Sequence, residues 1–296
     1  MLLDLQEVKT LNDKGGERMR TNRKKVDISQ LFLNLVILLL LFIMLYPLAM
    51  ALWCAMKSDF VYTSSMWYPT LPLRVSNLKV AFEAIYRYVL NTVLVGAVGV
   101  TGSLVVSSMA AYAFTKMSFP GRKFLYFAVI GLMMMPGVLT LVPSYVLYKN
   151  LNLLDSYWVM IIPVVVQQSI FGVFLLTTFF EGLPKEIFEA AKIDGAGHMA
   201  CYRKVAIPLS MPIMGTLAIM EIVNVWNDYI WPQITIRDID KLPISAGLLV
   251  HFEGAYSSNM PVTFAGYLIA SLPLILLFIF ANKYYVQGLV GSAIKM

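Results

Sequence analysis

Charge is what this chain has least of. Asp, Glu, Lys and Arg together make up 14% of its 296 residues, where a soluble domain carries roughly 25%. So little charge argues against one or two water-soluble domains of this length. Cysteine is nearly absent: Cys54 and Cys201 are the only two, which excludes a disulfide-framed secreted scaffold. They fall near opposite ends of the apolar segments, so no bridge between them is expected. The two histidines, His198 and His251, lie on opposite faces in the same topology and leave no Cys/His spacing for a metal site. No G-x-x-x-x-G-K-S/T segment occurs, so a nucleotide site built on that loop is excluded. Internal repeats and low-complexity tracts are missing too, which counts against a transporter assembled from repeated halves.

What stands in place of charge is apolar side chain, 59% of the chain, gathered into blocks. Six of them approach or exceed the ~20 residues that a helix needs to cross a hydrocarbon core of about 30 Å. They run over about 31–53, 91–114, 124–147, 157–180, 209–230 and 263–285. Backbone N–H and C=O groups find no water in lipid, so each block is expected to be a helix. The expected fold class is an all-α integral membrane protein. Residues 1–28 form a polar N-terminal tail, and residues 29–296 a six-helix transmembrane domain. The first block is longer than a signal-peptide core and is read as an uncleaved anchor. Gly96, Gly99, Ser103, Ser107 and Ala110 recur at helical spacing in the second block, a stripe suited to close helix packing. Met133-Met134-Met135-Pro136-Gly137 marks a kink or break in the third.

Basic residues orient the chain. Sixteen of the 23 Lys and Arg fall on the face holding both termini, the second-to-third connection and the fourth-to-fifth connection. The positive-inside rule makes that face cytoplasmic. The net charge of +6 is mostly this signal, so contact with membrane lipid is expected and nucleic-acid binding is not. On the other face, residues 57–90 hold Trp67, Tyr68, Pro69 and Pro72, enough for a small structured cap, with a short helix at 77–82 leading into the second span.

The fourth-to-fifth connection, residues 184–209, is polar and turn-rich between two apolar blocks. Pro184 suits a helix start. From 185 to 193, Ile187, Phe188 and Ala191 gather on one side, with Lys185, Glu189 and Lys192 on the other. Asp194-Gly195 then ends the helix, Gly195 being free to take a left-handed turn. Taken alone, such a helix either lies on lipid or offers a handle to a soluble partner.

Glu189-Ala190-Ala191, Asp194-Gly195-Ala196 and Ile207-Pro208-Leu209 resemble, in spacing and identity, the EAA loop of ABC-importer permeases. The resemblance implies a coupling helix that docks into a cleft on a separate ATPase subunit. Glu189 would then be the charged contact, Ala190 and Ala191 the close-packing positions, and Asp194-Gly195 the turn. It also implies two cytoplasmic ATPase subunits, a second permease subunit in a heterodimer, and an extracytoplasmic solute-binding protein. This chain would hold no cofactor, ATP and Mg being bound by the ATPase subunits.

A second polar group lies in the fifth block: Glu221, Asn224, Asn227 and Asp228, of which Glu221, Asn224 and Asp228 are spaced to share a helix face. Ionisable groups in a span usually face a bundle interior or a wet cavity. Carboxylates, amides and neighbouring aromatic rings suit sugar hydroxyls and the apolar faces of sugar rings. The run Trp226-Asn227-Asp228-Tyr229-Ile230-Trp231-Pro232 resembles the W-N-D/E-F-x-W-P signature of carbohydrate-importer permeases of the maltose-transporter type. Gln167, with Gln168, in the fourth block is a further substrate-pathway candidate. In the resembling permeases the last outer loop faces the binding protein, which makes Phe252, Tyr256 and Asn259 the expected contacts.

These observations together lead us to expect a non-enzymatic transport subunit of the cytoplasmic membrane, carrying a sugar, with an oligosaccharide favoured. A glycerol phosphodiester or a polyol is the alternative cargo. A secondary transporter using the intramembrane carboxylates, or a membrane-embedded enzyme with Glu221 and Asp228 as a carboxylate pair, is the alternative class.

Overall fold

The structure, a computed structural model, describes residues 28–252 and 259–293. Among the described residues every regular element is helical. The chain divides into two compact units, Met1–Met50 and Ala51–Met296. The first is described from residue 28 and is the body of α1 (Ile28–Ala55), apolar on all sides, with Leu, Ile and Phe exposed around its circumference. A helix of that kind is built for lipid or a protein interior, not for water.

The second unit opens on a cap. Trp53 donates its indole N–H to the Met66 carbonyl at 3.0 Å. The ammonium of Lys57, 1% exposed, donates to the carbonyls of Ser65 and Tyr68. Asn77 returns two amide bonds to the carbonyls of Ala55 and Lys57, at 2.9 and 2.8 Å. Between these ties sits the short helix α2 (Asp59–Ser64), capped by Ser58.

The spine of the unit is α3 (Ser76–Lys116), a helix of 41 residues and about 60 Å. The second span is therefore longer than its apolar block: the expected lead-in helix at 77–82 is the first turns of the same helix. Residues of α3 are buried at three- and four-residue intervals, including Asn91, Val95, Gly99, Ser103, Ser107 and Ala111. This face packs on α6 (Trp158–Glu181), α9 (Ile207–Asn227) and α12 (Met260–Ala293).

The third block is not one straight span. It forms α4 (Arg122–Leu132) and α5 (Gly137–Asn150), bent by 98° at the methionine–proline break. Pro136 has no N–H to continue the ladder and pushes Met135 out of the helical region. With this pair counted as one span, up to six apolar spans are present; five single helices meet that test of length and composition.

After α6 the chain forms α7 (Lys185–Ile193), turns at Gly195 with φ of +80°, and re-enters helix at α8 (His198–Cys201). A π turn, Tyr202–Ala206, joins α8 to α9. Its widening has a local cause: Pro208 offers no N–H to the carbonyl of Lys204. Beyond α9 come α10 (Ile230–Thr235), a 3-10 turn (Ile239–Lys241) and α11 (Ile244–Val250). Two apolar cores are strung along α3. One, towards its Ser76 end, gathers Ile85, Tyr88, Val159, Trp226, Trp231 and Ile244. The other, towards Lys116, gathers Tyr112, Leu176, Phe180, Phe188, Cys201 and Leu217.

Gly172 of α6 lies so close to α3 that a Cβ there would stand 2.7 Å from the Ser107 Cβ and 3.2 Å from the Leu217 Cδ2. Gly131 of α4 meets nothing within 4 Å. Gly172→Val should cost about 1–3 kcal/mol through overpacking, read as a lower thermal midpoint in detergent, whereas Gly131→Ala should not lower it.

Candidate functional site

The polar residues of the fifth block do not act as one group. α9 stops at Asn227, and Asp228 leaves the helical region with ψ of 115°. Its carboxylate accepts the Trp231 N–H at 3.4 Å as α10 begins. The carbonyl of Trp226, left without a helical partner by that stop, accepts the Ser245 hydroxyl.

Trp231 fills a gap in another helix. Pro163 in α6 has no N–H for the carbonyl of Val159, and the Trp231 indole N–H donates to that carbonyl at 2.7 Å. Its ring meets Tyr148 of α5 edge-on, with centroids 5.7 Å apart. Trp226 and Trp231, 7% and 8% exposed, thus brace the α9–α10 corner, and the aromatic part of the motif mostly packs.

The corner closes one side of a cavity of about 730 Å³ between α5, α6 and the α9–α10 junction. Gln167, Gln168, Asn224 and Asp228 line it, and the Asn224 amide donates to the Gln168 Oε1 at 3.3 Å. Glu221 and Asn227 are placed elsewhere. Glu221, 1% exposed, turns towards α3 and accepts the Ser103 hydroxyl at 2.9 Å. Asn227 bonds back to the Val223 carbonyl at 2.8 Å. Sequence reasoning did not single out Thr140 and Ser144 of α5, which also line the cavity. Their four-residue spacing after the Pro136 break is the signal that could have found them.

The rim above Asp155 is held by polar ties. Asp155 accepts the backbone N–H groups of Arg237 and Asp238 at 3.1 and 3.0 Å, and Lys241 lies 3.7 Å from its carboxylate. Asn91 donates to the carbonyls of Asp240 and Leu242 at 2.7 and 2.9 Å, and Arg87 pairs with Asp240 at 2.9 Å. Of the expected loop contacts, Phe252 is 2% exposed and packs against Tyr267 with the rings tilted and their centroids 6.2 Å apart. Tyr256 lies outside the described residues. Asn259 accepts the Val262 N–H at 3.4 Å and caps α12.

At the other end of α3, α7 is half in and half out. Phe188 is buried, and the Lys116 ammonium stands 4.3 Å from its ring centroid. Tyr112 meets His198 at 3.4 Å, and the hydroxyls of Ser108 and Tyr202 are 2.8 Å apart. Glu189, Ala190, Asp194 and Gly195 are exposed, and Ala191 is half-buried. Ile187, grouped with Phe188 and Ala191 on the apolar side, is 42% exposed, and Ile193 is 86% exposed. The outward surface of α7 thus combines two carboxylates, Glu186 and Glu189, and two lysines, Lys185 and Lys192, with apolar side chains.

The model of the family described as "Binding-protein-dependent transport system inner membrane component" matches residues 103–291. That stretch includes α7 and the cavity walls. The chain is 29% identical to the probable ABC transporter permease protein YurM of Bacillus subtilis, over 92% of this chain and 91% of the relative. It is 32% identical to the arabinooligosaccharides transport system permease protein AraQ of Halalkalibacterium halodurans, over 69% of this chain and 72% of the relative. Among solved structures, a bacterial ABC transporter involved in import of the acidic polysaccharide alginate has a chain of the same fold. The TM-score is 0.75 at 23% identity, with 88% of this chain and 98% of that chain covered.

Two outcomes follow from the ties around the cavity. Trp231→Phe should destabilise the protein by about 1–3 kcal/mol, because the Val159 carbonyl loses its donor; thermal unfolding in detergent reads it. Asp155 is held below the ordinary carboxylate range, first by the Asp238 N–H and also by the Arg237 N–H and the Lys241 ammonium. Its stabilising effect is full above the unfolded value of about 4 and is lost as pH falls through the lower folded value. Hydrogen exchange at the Arg237 and Asp238 amides, relative to intrinsic rates, should therefore rise below about pH 4. Asp155→Asn should abolish that rise.

Proposed function

This chain belongs to the family of binding-protein-dependent transport system inner membrane components, and on that premise we propose that it is one permease subunit of an ABC importer for a sugar, an oligosaccharide in particular. The observation that carries the cargo is the cavity in which Gln167, Gln168, Asn224 and Asp228 converge beside Tyr148 and Trp231. Amides, hydroxyls and a carboxylate offer a saccharide both donors and acceptors, and clefts of this size take small ligands. The relative named for arabinooligosaccharides supports the same reading, as does another, of Bacillus subtilis, named for polygalacturonan and rhamnogalacturonan.

In this reading a second permease subunit completes the pore. Two ATPase subunits bind ATP and Mg on the cytoplasmic side, the side to which α7 is assigned. The exposed Glu189 and Ala190 seat in an ATPase cleft, and Gly195 sets the turn. Closure of the ATPases moves α7, and its buried Phe188, gripped by Lys116, passes the movement to α3. Tyr256 and Asn259 lie in the loop that meets the solute-binding protein. The chain carries out no covalent chemistry.

The test is ATP hydrolysis and sugar uptake by the complex in liposomes, with its ATPase, second permease and binding protein. Glu189→Ala should lower sugar-stimulated hydrolysis about tenfold, the loss of one interfacial charge contact, while α7 stays folded on Phe188. Stimulation equal to wild type would remove α7 as the ATPase contact.

A further inference from the structure

We infer that the cavity is built for an uncharged saccharide and discriminates against uronate chains; the inference rests on the importer reading and deepens it. The polar lining comes from Thr140, Ser144, Gln167, Gln168, Asn224 and Asp228. One carboxylate is the only ionisable carboxyl or amine in it: among the described lining residues there is no Lys, Arg or His. An acidic sugar carboxylate taken from water needs a cationic partner, best a guanidinium fork. This wall offers it only the Asp228 carboxylate, and like charges brought together in a partly desolvated site repel.

Two cations of the neighbouring rim, Arg87 and Lys241, are already committed, and the Arg237 side chain is not among the lining residues. Arg87 pairs with Asp240 at 2.9 Å, and Lys241 lies 3.3 Å from Asp238 and 3.7 Å from Asp155. A neutral sugar meets a better match. Asp228 uses Oδ1 towards the Trp231 N–H, and a carboxylate has further lone pairs for a hydroxyl. Asn224 and Gln168 hold each other at 3.3 Å, which leaves the Asn224 carbonyl oxygen and the Gln168 amide hydrogens for the ligand. Neither the fold nor kinship decides the matter, since an importer of an acidic polysaccharide shares the fold and a polygalacturonan/rhamnogalacturonan permease is among the relatives; the side chains of this wall favour a neutral chain.

The experiment is equilibrium dialysis of radiolabelled pentasaccharides against the purified complex of both permeases and the ATPases. The binding protein is omitted, so the selectivity read is that of the permease pair. The probes are arabinan, xylan and maltodextrin pentasaccharides and an oligogalacturonate of the same length. At low salt at least one neutral probe should bind about tenfold or more tighter than the oligogalacturonate, and salt should narrow the gap. Asp228→Asn keeps an acceptor for the Trp231 N–H and should narrow the ratio by about threefold or more. Oligogalacturonate binding as tight as the best neutral probe, or a ratio unmoved by Asp228→Asn, overturns the inference and leaves the importer reading standing. Binding of none of the probes overturns the cavity as a saccharide site, and the inference with it.

Discussion

Hydrocarbon gives two helices no hydrophobic reward for meeting, so the second unit depends on how closely α3 and α6 can approach. Gly99 and Gly102 face Val164 and Val165, and Gly172 faces Ser107, at distances where any added Cβ would stand 2.7 Å from its neighbour. Dispersion forces reward that intimacy only while the surfaces stay complementary. The same axis aligns the two cores, because residues of α3 and α6 enter both. α9 and α12 then pack against a pair already fixed.

That pairing also sets what the two functional regions share. α6 presents Gln167 and Gln168 to the cavity and, three turns on, Leu176 and Phe180 to the core around Phe188. α9 runs from the π turn beside α8 to the corner at Asp228. The proline in α6 could have left a bare carbonyl in the membrane, which is costly. Trp231 reaches across to satisfy it, so a defect in one helix becomes the anchor for another.

What could be read from the chain followed from the physics of each feature. Apolar blocks were legible because the bilayer demands length and uniformity, and Gly195 because few other residues accept its backbone. The start of α3 was legible as a short helix at 77–82, but its continuity with the span was not: Lys79, Glu83 and Arg87 end the apolar signal while the helix goes on. The break at Pro136 was visible, but its 98° angle depends on packing. Glu221 looked like a pathway residue because its partner Ser103 lies 118 positions away. Lys57 gave no signal at all, since backbone carbonyls hold it and every residue has one. Around Asp228 the motif pointed to a corner that borders the cavity, and which of its residues pack and which line the cavity needed coordinates.

Proline distribution has a mechanical meaning. Within the second unit, α5, α6, α9 and α12 each contain one inside the helix, at Pro143, Pro163, Pro212 and Pro273. α3 contains none over its 41 residues. It is the proline-free member of the set, gripped near its Lys116 end by Phe188 and tied further along, through Asn91, to the loop of Asp240 and Leu242. A rod of about 60 Å is a lever: a tilt of about 5° around its Lys116 end sweeps the opposite end through about 5 Å, on the scale of one helical turn. In the importer reading, a slight tilt imposed on α3 from α7 would be seen enlarged at its far end, with the proline-bearing α5, α6, α9 and α12 taking up the strain.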